Sequence, residues 1–220
     1  FNMQLITAWY KQMIHPFLSG QPVGYFQTAH ISQSFTGLFY RLLSDTVAME
    51  ADAGRGHGEL RINLLSLDQQ TVSLIVRMAS ISVLASLMAF CRTPRENRTH
   101  LGNVGEFALV FLAMLFLSER SWKHHYVLLI LAHGFLLYFL LVMRPRGWRK
   151  WVPLSSLTVA VFCHSLVSDS TLGHYWSNVA EAYGVFLFGG VSLFVGCSAA
   201  LTALRLEGWP RPPAGGTEKM

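Results

Sequence analysis

The 220-residue chain is 52% hydrophobic and only 13% charged, with a mean hydropathy of +0.37. Soluble domains of this length carry more charge, so the composition favours an integral membrane protein. The formal net charge of +5 does not indicate a nucleic-acid partner, because Lys and Arg fall between apolar runs instead of along one polar face. The three cysteines have no metal-ligand spacing, and we expect neither a disulfide nor a structural zinc site.

The first predicted element is an amphipathic helix that lies in the membrane interface. Its apolar side chains recur every four residues and form one broad stripe. Gly20 and Pro22 end the helix. Because the chain begins inside this helix, with no initiator Met and no signal-type start, we expect it to be the C-terminal part of a longer protein. The stripe contains Phe1, Leu5, Trp9, Met13 and Phe17.

A second amphipathic helix is predicted to begin near Ser34. A polar, glycine-rich loop over residues 45–59 follows it. Asp68 is a suitable N-cap for the next helix, since its carboxylate can accept hydrogen bonds from the unpaired amides of the first turn. Residues 1–68 are therefore predicted to form an interfacial segment that ends in a loop. The apolar face of the second helix contains Phe35, Leu38, Phe39, Leu42 and Leu43.

Five stretches are apolar enough to cross a bilayer, whose hydrocarbon core of about 30 Å needs roughly 20 helical residues. They predict an all-α membrane domain with about five transmembrane helices over residues 69–205. The Pro- and Gly-rich residues 206–220 are predicted to be a disordered tail. The predicted spans are Thr71–Cys91, Leu101–Leu117, His125–Met143, Trp151–Val167 and Val179–Leu204.

The basic residues predict the orientation, because Lys and Arg of short loops stay on the cytoplasmic side. The segment before Thr71 and the loops Ser118–His124 and Ser168–Asn178 are then extracytoplasmic, and the C-terminus is cytoplasmic. We expect a multi-pass protein of the inner or plasma membrane of the cell. The basic residues that set this orientation follow the first, third and fifth spans and are Arg92, Arg95, Arg98, Arg144, Arg146, Arg149, Lys150, Arg205, Arg211 and Lys219.

The outward loop between the second and third spans is a dense polar cluster that could recognise phosphate. Arg120 can bind phosphate oxygens bidentately and Lys123 adds a point charge. His124 and His125 can donate hydrogen bonds or exchange protons. The alternative interpretation is an interface belt, in which Trp122 anchors at headgroup depth beside Tyr126 while the cations reach the headgroups.

Three charged residues lie within the predicted spans. Arg77 is about two turns into the first span, and a charge at that depth usually marks a function or a partner. Glu106 and Glu181 lie near opposite membrane faces, where the reach of the side chain to the interface is an equally good explanation.

Two motifs give the chain a family resemblance. They are the run Gln33-Ser34-Phe35-Thr36-Gly37-Leu38 and the run Ser118-Glu119-Arg120-Ser121-Trp122-Lys123-His124-His125-Tyr126. A polar loop and a span separate the two motifs. With the motifs in this order, the chain resembles glycosyltransferase family 87 of the GT-C superfamily, typified by polyprenol-phosphate-mannose-dependent α-mannosyltransferases. The family pattern corresponding to the first motif begins one residue earlier, at Ser32, where Asn is expected. The chain departs from the pattern there and at Phe35, where Leu is usual.

The resemblance implies a GT-C-like fold and a hexosyltransferase that moves a sugar, mannose being typical, from a polyprenyl-phosphate donor in the membrane lipid to a glycan or glycolipid acceptor outside. Gln33 and Ser34 would line the outward cavity. The donor phosphate would lie near Arg120, Lys123, His124 and His125, with Trp122, Arg41 and Arg77 as secondary candidates.

The catalytic Asp of such enzymes lies in the first outward loop, which would precede Phe1. No catalytic residue is therefore assigned within the chain, and we expect the chain to be inactive alone. No cofactor or metal site is indicated, and a divalent cation remains an open alternative.

Two other classes of protein remain open. A lipid or solute transporter, or a flippase, predicts polar residues at mid-membrane and paired broken helices, and Arg77 is the residue that points in that direction. A non-catalytic membrane scaffold is the third interpretation.

Overall fold

The computed structural model describes residues 28–51, 57–92, 99–118 and 121–206, together with residues 3, 6, 7 and 10. Within these ranges the regular elements are helices, and an isolated antiparallel bridge joins Met49 to Leu60. The all-α prediction is thus confirmed for the described residues. The predicted N-terminal amphipathic helix falls almost entirely outside them, as do Glu119, Arg120 and the predicted tail from residue 207 onward.

The predicted second amphipathic helix is confirmed as α1, Phe35–Leu43. Its N-cap is Ser34, whose side chain accepts a hydrogen bond from the Gly37 amide. The chain after the polar loop returns to the other end of α1, where the Leu64 amide donates to the Leu42 carbonyl at 2.7 Å. Both ends of this short helix are therefore held by neighbouring backbone and side-chain groups.

Four helical segments are long and apolar enough to cross a membrane. Asp68 caps the first of them, as predicted, by accepting from the Thr71 amide at 3.0 Å. The third starts with a 3₁₀ helix, Lys123–Leu129, and ends with a π-helical turn, Phe139–Met143. The segments are α2 (Gln69–Phe90), α3 (His100–Leu117), Lys123–Met143 around α4 (Ile130–Tyr138), and the last helix, Val185–Leu206.

The predicted span Trp151–Val167 corresponds to α5, Trp148–Val161, and a π-helical turn, Phe162–Leu166. This helix is not among the four long apolar ones. Its α-helical part has only 14 residues, with Pro153 inside it.

The predicted span Val179–Leu204 has the wrong start. Residues before it form α6, Asp169–Leu172, and α7, His174–Ala182, and the long helix α8 begins only at Val185. Gly184 separates α7 from α8 with a left-handed φ of 80°, which favours glycine. Glu181 therefore belongs to a separate short helix and not to the long apolar helix α8.

Helix α8 packs mainly against α5 and α3 and fills the centre of the bundle. A Cβ atom at Gly196 would lie 2.7 Å from Cβ of Ser156 in α5, and one at Gly190 would lie 2.9 Å from the Phe116 ring in α3. Small residues that allow such close approach are typical of packing between membrane helices.

The helices run alternately between two ends of the bundle. At the first, here called the Lys123 end, the Tyr126 hydroxyl meets the Gln33 carbonyl. At the second, the Arg146 end, the Arg205 guanidinium donates to the Phe90 carbonyl.

Helix α2 lies at the edge of the bundle, and Val72 is its one buried residue. Arg77 is exposed on this helix. Its place as a secondary candidate beside a ligand stays a prediction.

Candidate functional site

The two sequence motifs meet at the Lys123 end. The Gln33 amide donates to the Ser121 carbonyl at 2.6 Å, and the Tyr126 hydroxyl donates to the Gln33 carbonyl at 2.6 Å. The Gln33 side chain also donates to the Glu181 carbonyl at 2.7 Å. Three segments far apart in sequence are therefore joined around one glutamine.

Local hydrogen bonds fix the turn that carries the second motif. Ser121 is buried and its hydroxyl donates to the Leu115 carbonyl at 2.6 Å. The Trp122 amide donates to Nδ1 of His125 at 3.1 Å, which satisfies one of the unpaired amides at the start of the 3₁₀ helix. Lys123 and His124 are thereby held at the exposed side of the turn.

Lys123 and Glu181 form an ion pair at the centre of this end. Nζ of Lys123 lies 3.3 Å from Oε1 of Glu181, and the lysine side chain is 53% exposed while the glutamate side chain is 2% exposed. Burial raises the pKa of Glu181, and the lysine opposes that shift. The ammonium therefore has its inner side on the carboxylate and its outer side open to an anion.

Three aromatic and imidazole rings on the residues next to Lys123 in sequence lie close to one another. The ring centroids of His124 and His125 are 4.3 Å apart, and the Trp122 ring lies edge-on to His124 at 5.4 Å. All three side chains are exposed, which suits either contact with a ligand or contact with lipid headgroups. Arg120, the remaining predicted residue of this loop, lies outside the described residues.

An aspartate–histidine pair was not predicted as part of the site. Nδ1 of His174 lies 3.2 Å from Oδ2 of Asp169, and this hydrogen bond lowers the pKa of Asp169. Both side chains are about half exposed, at 55% and 50%. The sequence analysis predicted that both residues lie in one outward loop. Their approach to the Lys123 end depends on the short helices α6 and α7, and the sequence shows no apolar periodicity that would predict these helices.

Arg41 has a structural role. It is fully buried, its Nε donates to the Ala182 carbonyl at 2.8 Å, and its Nη1 donates to the Ala29 and Ser32 carbonyls at 2.7 and 2.8 Å. Burial lowers its pKa to about 9, which Glu181 opposes. Its guanidinium is 0% exposed, and its place beside a ligand stays a prediction.

Gln33 and Ser34 are also fully buried. Ser34 caps α1, and Gln33 holds the motifs together, so neither side chain lines an open cavity as expected. Buried polar atoms without a hydrogen-bond partner collect around them within the described part of the chain: Oε1 of Gln33, Nη2 of Arg41 and Nδ1 of His30. Such atoms are rare in folded proteins, and they give this end an unsatisfied polar interior.

The two glutamates for which a partner and reach to the interface were equally good explanations both have a cationic partner. Glu106 lies at the Arg146 end, 3.7 Å from the Arg205 guanidinium, and Glu181 pairs with Lys123. Among the described residues no group of three or more His, Cys, Asp or Glu side chains is placed to hold a metal ion.

No family model, curated protein or solved structure matches this chain. The fold defines a class: a helical protein with several apolar helices of membrane-spanning length and a polar cluster of Lys123, Glu181, Asp169 and His174 at one end.

Proposed function

We propose that this chain belongs to a membrane glycosyltransferase of the family 87 type, which moves a hexose from a polyprenyl-phosphate donor to a glycan or glycolipid acceptor. One observation supports the proposal most strongly. The two motif segments are bonded to each other through Gln33, and the half-exposed Lys123 stands beside their junction.

The proposed topology has five crossings, with the Lys123 end extracytoplasmic. Besides the four long helices, α5 and its π-helical turn cover residues 148–166, a helix of roughly 28 Å at 1.5 Å per residue. The arginine-rich loops then share the cytoplasmic side. The membrane is the inner or plasma membrane.

Lys123 supplies the charge that such a reaction needs. When the glycosidic C–O bond to the phosphate breaks, the bonding electrons go to the phosphate oxygen, and a nearby ammonium stabilises the developing negative charge. The acceptor hydroxyl forms the new bond at the same sugar carbon and releases its proton to a base. His124 and His125 can donate hydrogen bonds to the same phosphate.

The ion pairs favour a transferase over a transporter. Among the described residues they include Lys123–Glu181 at one end and Arg205–Glu106 at the other, whereas transporters bind their substrates near the membrane midplane.

The test is transfer of mannose from a labelled polyprenyl-phosphate donor to endogenous acceptors by the full-length protein in membranes. We expect Lys123→Ala to lower the rate by about 100-fold, the loss typical of removing one charge-stabilising group. Because this variant also leaves Glu181 buried without its cation, a second variant, K123A/E181Q, removes that defect.

The double variant separates the two roles of the lysine. We expect K123A/E181Q to accumulate in the membrane like the wild type and still to transfer sugar slowly. Transfer at the wild-type rate in the double variant would mean that Lys123 acts only by neutralising Glu181, and the proposed donor site would be wrong.

A further inference from the structure

A concave pocket of about 430 Å³ opens at the Arg146 end, on the opposite side of the bundle from the candidate site. It lies between the π-helical turn that ends the third long segment and the first turn of α5. Its wall consists of Leu140, Arg144, Pro145, Arg146, Gly147, Lys150 and Trp151. Three of these seven residues are cationic, and none is acidic.

The cations of the pocket are not neutralised by the described part of the chain. Arg144, Arg146 and Lys150 are exposed, and no carboxylate among the described residues forms an ion pair with any of them. Within the described ranges, Arg144 donates a single long hydrogen bond, 3.4 Å, to the Leu141 carbonyl. Three like charges around one concavity repel one another unless an anion enters it.

Backbone strain holds one of these cations in the wall. Arg144 has a φ of 48° and is the one non-glycine residue with a positive φ in the described ranges. This conformation is unfavourable for a side chain other than Gly, Asn or Asp. Strained residues of this kind cluster at ligand sites, and glycine would suit the backbone of this turn better.

The surroundings place the pocket at the depth of lipid headgroups. Trp148 and Trp151 are 47% and 63% exposed at the start of α5, and exposed tryptophans at helix ends mark the membrane interface. Nζ of Lys150 lies over the Trp151 ring, 5.1 Å from its centroid. The first turn of α5 has no side-chain cap, and the positive end of the helix dipole adds to the potential of the three cations.

We propose that this pocket binds the phosphate group of an anionic phospholipid from the adjacent leaflet. Phosphate is the anion that guanidinium groups bind bidentately, and basic pockets between membrane helices bind anionic lipid headgroups. Free inorganic phosphate offers the same chemistry, but the exposed tryptophans favour the lipid. The proposal does not depend on the glycosyltransferase function.

The experiment uses the full chain reconstituted in vesicles of phosphatidylcholine mixed with phosphatidylglycerol. Quenching of tryptophan fluorescence by a brominated form of either lipid gives their relative affinities. We expect a preference for phosphatidylglycerol that falls about fivefold for each cation removed, as in R146Q and K150Q. R144G should lower the preference for phosphatidylglycerol by the same factor. It should leave the fold intact, because glycine suits the left-handed backbone there.

The matched control is R149Q, which removes the same charge from the same turn but lies outside the pocket, where Arg149 stands over the Trp148 ring at 5.9 Å. The proposed site is supported if the preference for phosphatidylglycerol is kept in R149Q and lost in the pocket variants. An equal loss in all four variants would mean that only the summed charge of the loop attracts the lipid. Binding of inorganic phosphate alone, without preference between the two lipids, would overturn the lipid as ligand.

Discussion

The Arg41 guanidinium connects three parts of the Lys123 end. It lies in α1 and donates to carbonyls of residues 28–32 and to the Ala182 carbonyl of α7. A buried charge is costly unless hydrogen bonds compensate for its lost hydration. Here backbone carbonyls supply those bonds, so the arginine positions the site without touching its exposed face.

We expect substitutions of Arg41 to destabilise the fold in a graded way. Arg41→Lys keeps the charge but loses the Nε bond to Ala182, at a cost of about 2 kcal/mol for a hydrogen bond to a charged group. Arg41→Met leaves all the carbonyls without their donor and should lower the free energy of unfolding further. Denaturant titration of the purified protein in detergent micelles measures both.

The control for these variants is Arg61→Met. Arg61 is exposed and pairs with Glu59 and Asp45, and surface pairs contribute little to stability. Equal stability losses at positions 41 and 61 would contradict the structural role of Arg41.

The glycines of α8 determine how closely the elements of the bundle pack. A Cβ at Gly196 would lie 2.7 Å from Cβ of Ser156 and 3.0 Å from Cδ1 of Leu136. Both distances are too short for a methyl group unless α4 or α5 moves.

We expect Gly196→Ala to lower the free energy of unfolding by about 1–3 kcal/mol, the range found for overpacked cores. The matched control is Gly134→Ala in α4, where a Cβ meets nothing within 4 Å. This variant should be as stable as the wild type or more so, because alanine favours the helix over glycine by about 1 kcal/mol. Thermal unfolding in detergent compares the two, and equal losses would contradict the close contact at Gly196.

Local signals in the sequence predicted the helices well where caps and apolar runs coincide. Ser34 and Asp68 cap α1 and α2 as expected, because N-capping depends only on a side chain and the next few amides. The break at Gly184 was missed, since the apolar run from Val179 onward continues through it. A hydropathy pattern carries no information on backbone φ, which decides where α7 ends.

The candidate site at the Lys123 end could be predicted only in part, because its side-chain contacts are not local in sequence. The meeting of the Gln33 and Lys123 segments was expected from the resemblance, whereas the partners of each side chain depend on tertiary contacts. Lys123 meets Glu181 only because α7 folds over the bundle. The burial of Arg41 likewise follows from carbonyls of distant segments, which composition and spacing do not reveal.

The two ends of the bundle have different chemistry. The Lys123 end combines cations with the carboxylates Glu181 and Asp169. In the wall of the pocket at the Arg146 end, every charged residue is basic. Basic loops stay in the cytoplasm. The proposed function therefore requires the Lys123 end to face the outside, where the lipid-linked donor would be used.

Cysteine accessibility in intact cells tests this orientation directly. In a variant lacking Cys91, Cys163 and Cys197, single cysteines are introduced at the exposed positions Ser170, beside the Asp169–His174 pair, and Arg146. We predict that a membrane-impermeant maleimide labels S170C in intact cells and R146C only after permeabilisation. Labelling of R146C but not S170C in intact cells would contradict the proposed orientation, because the Lys123 end would then face the cytosol.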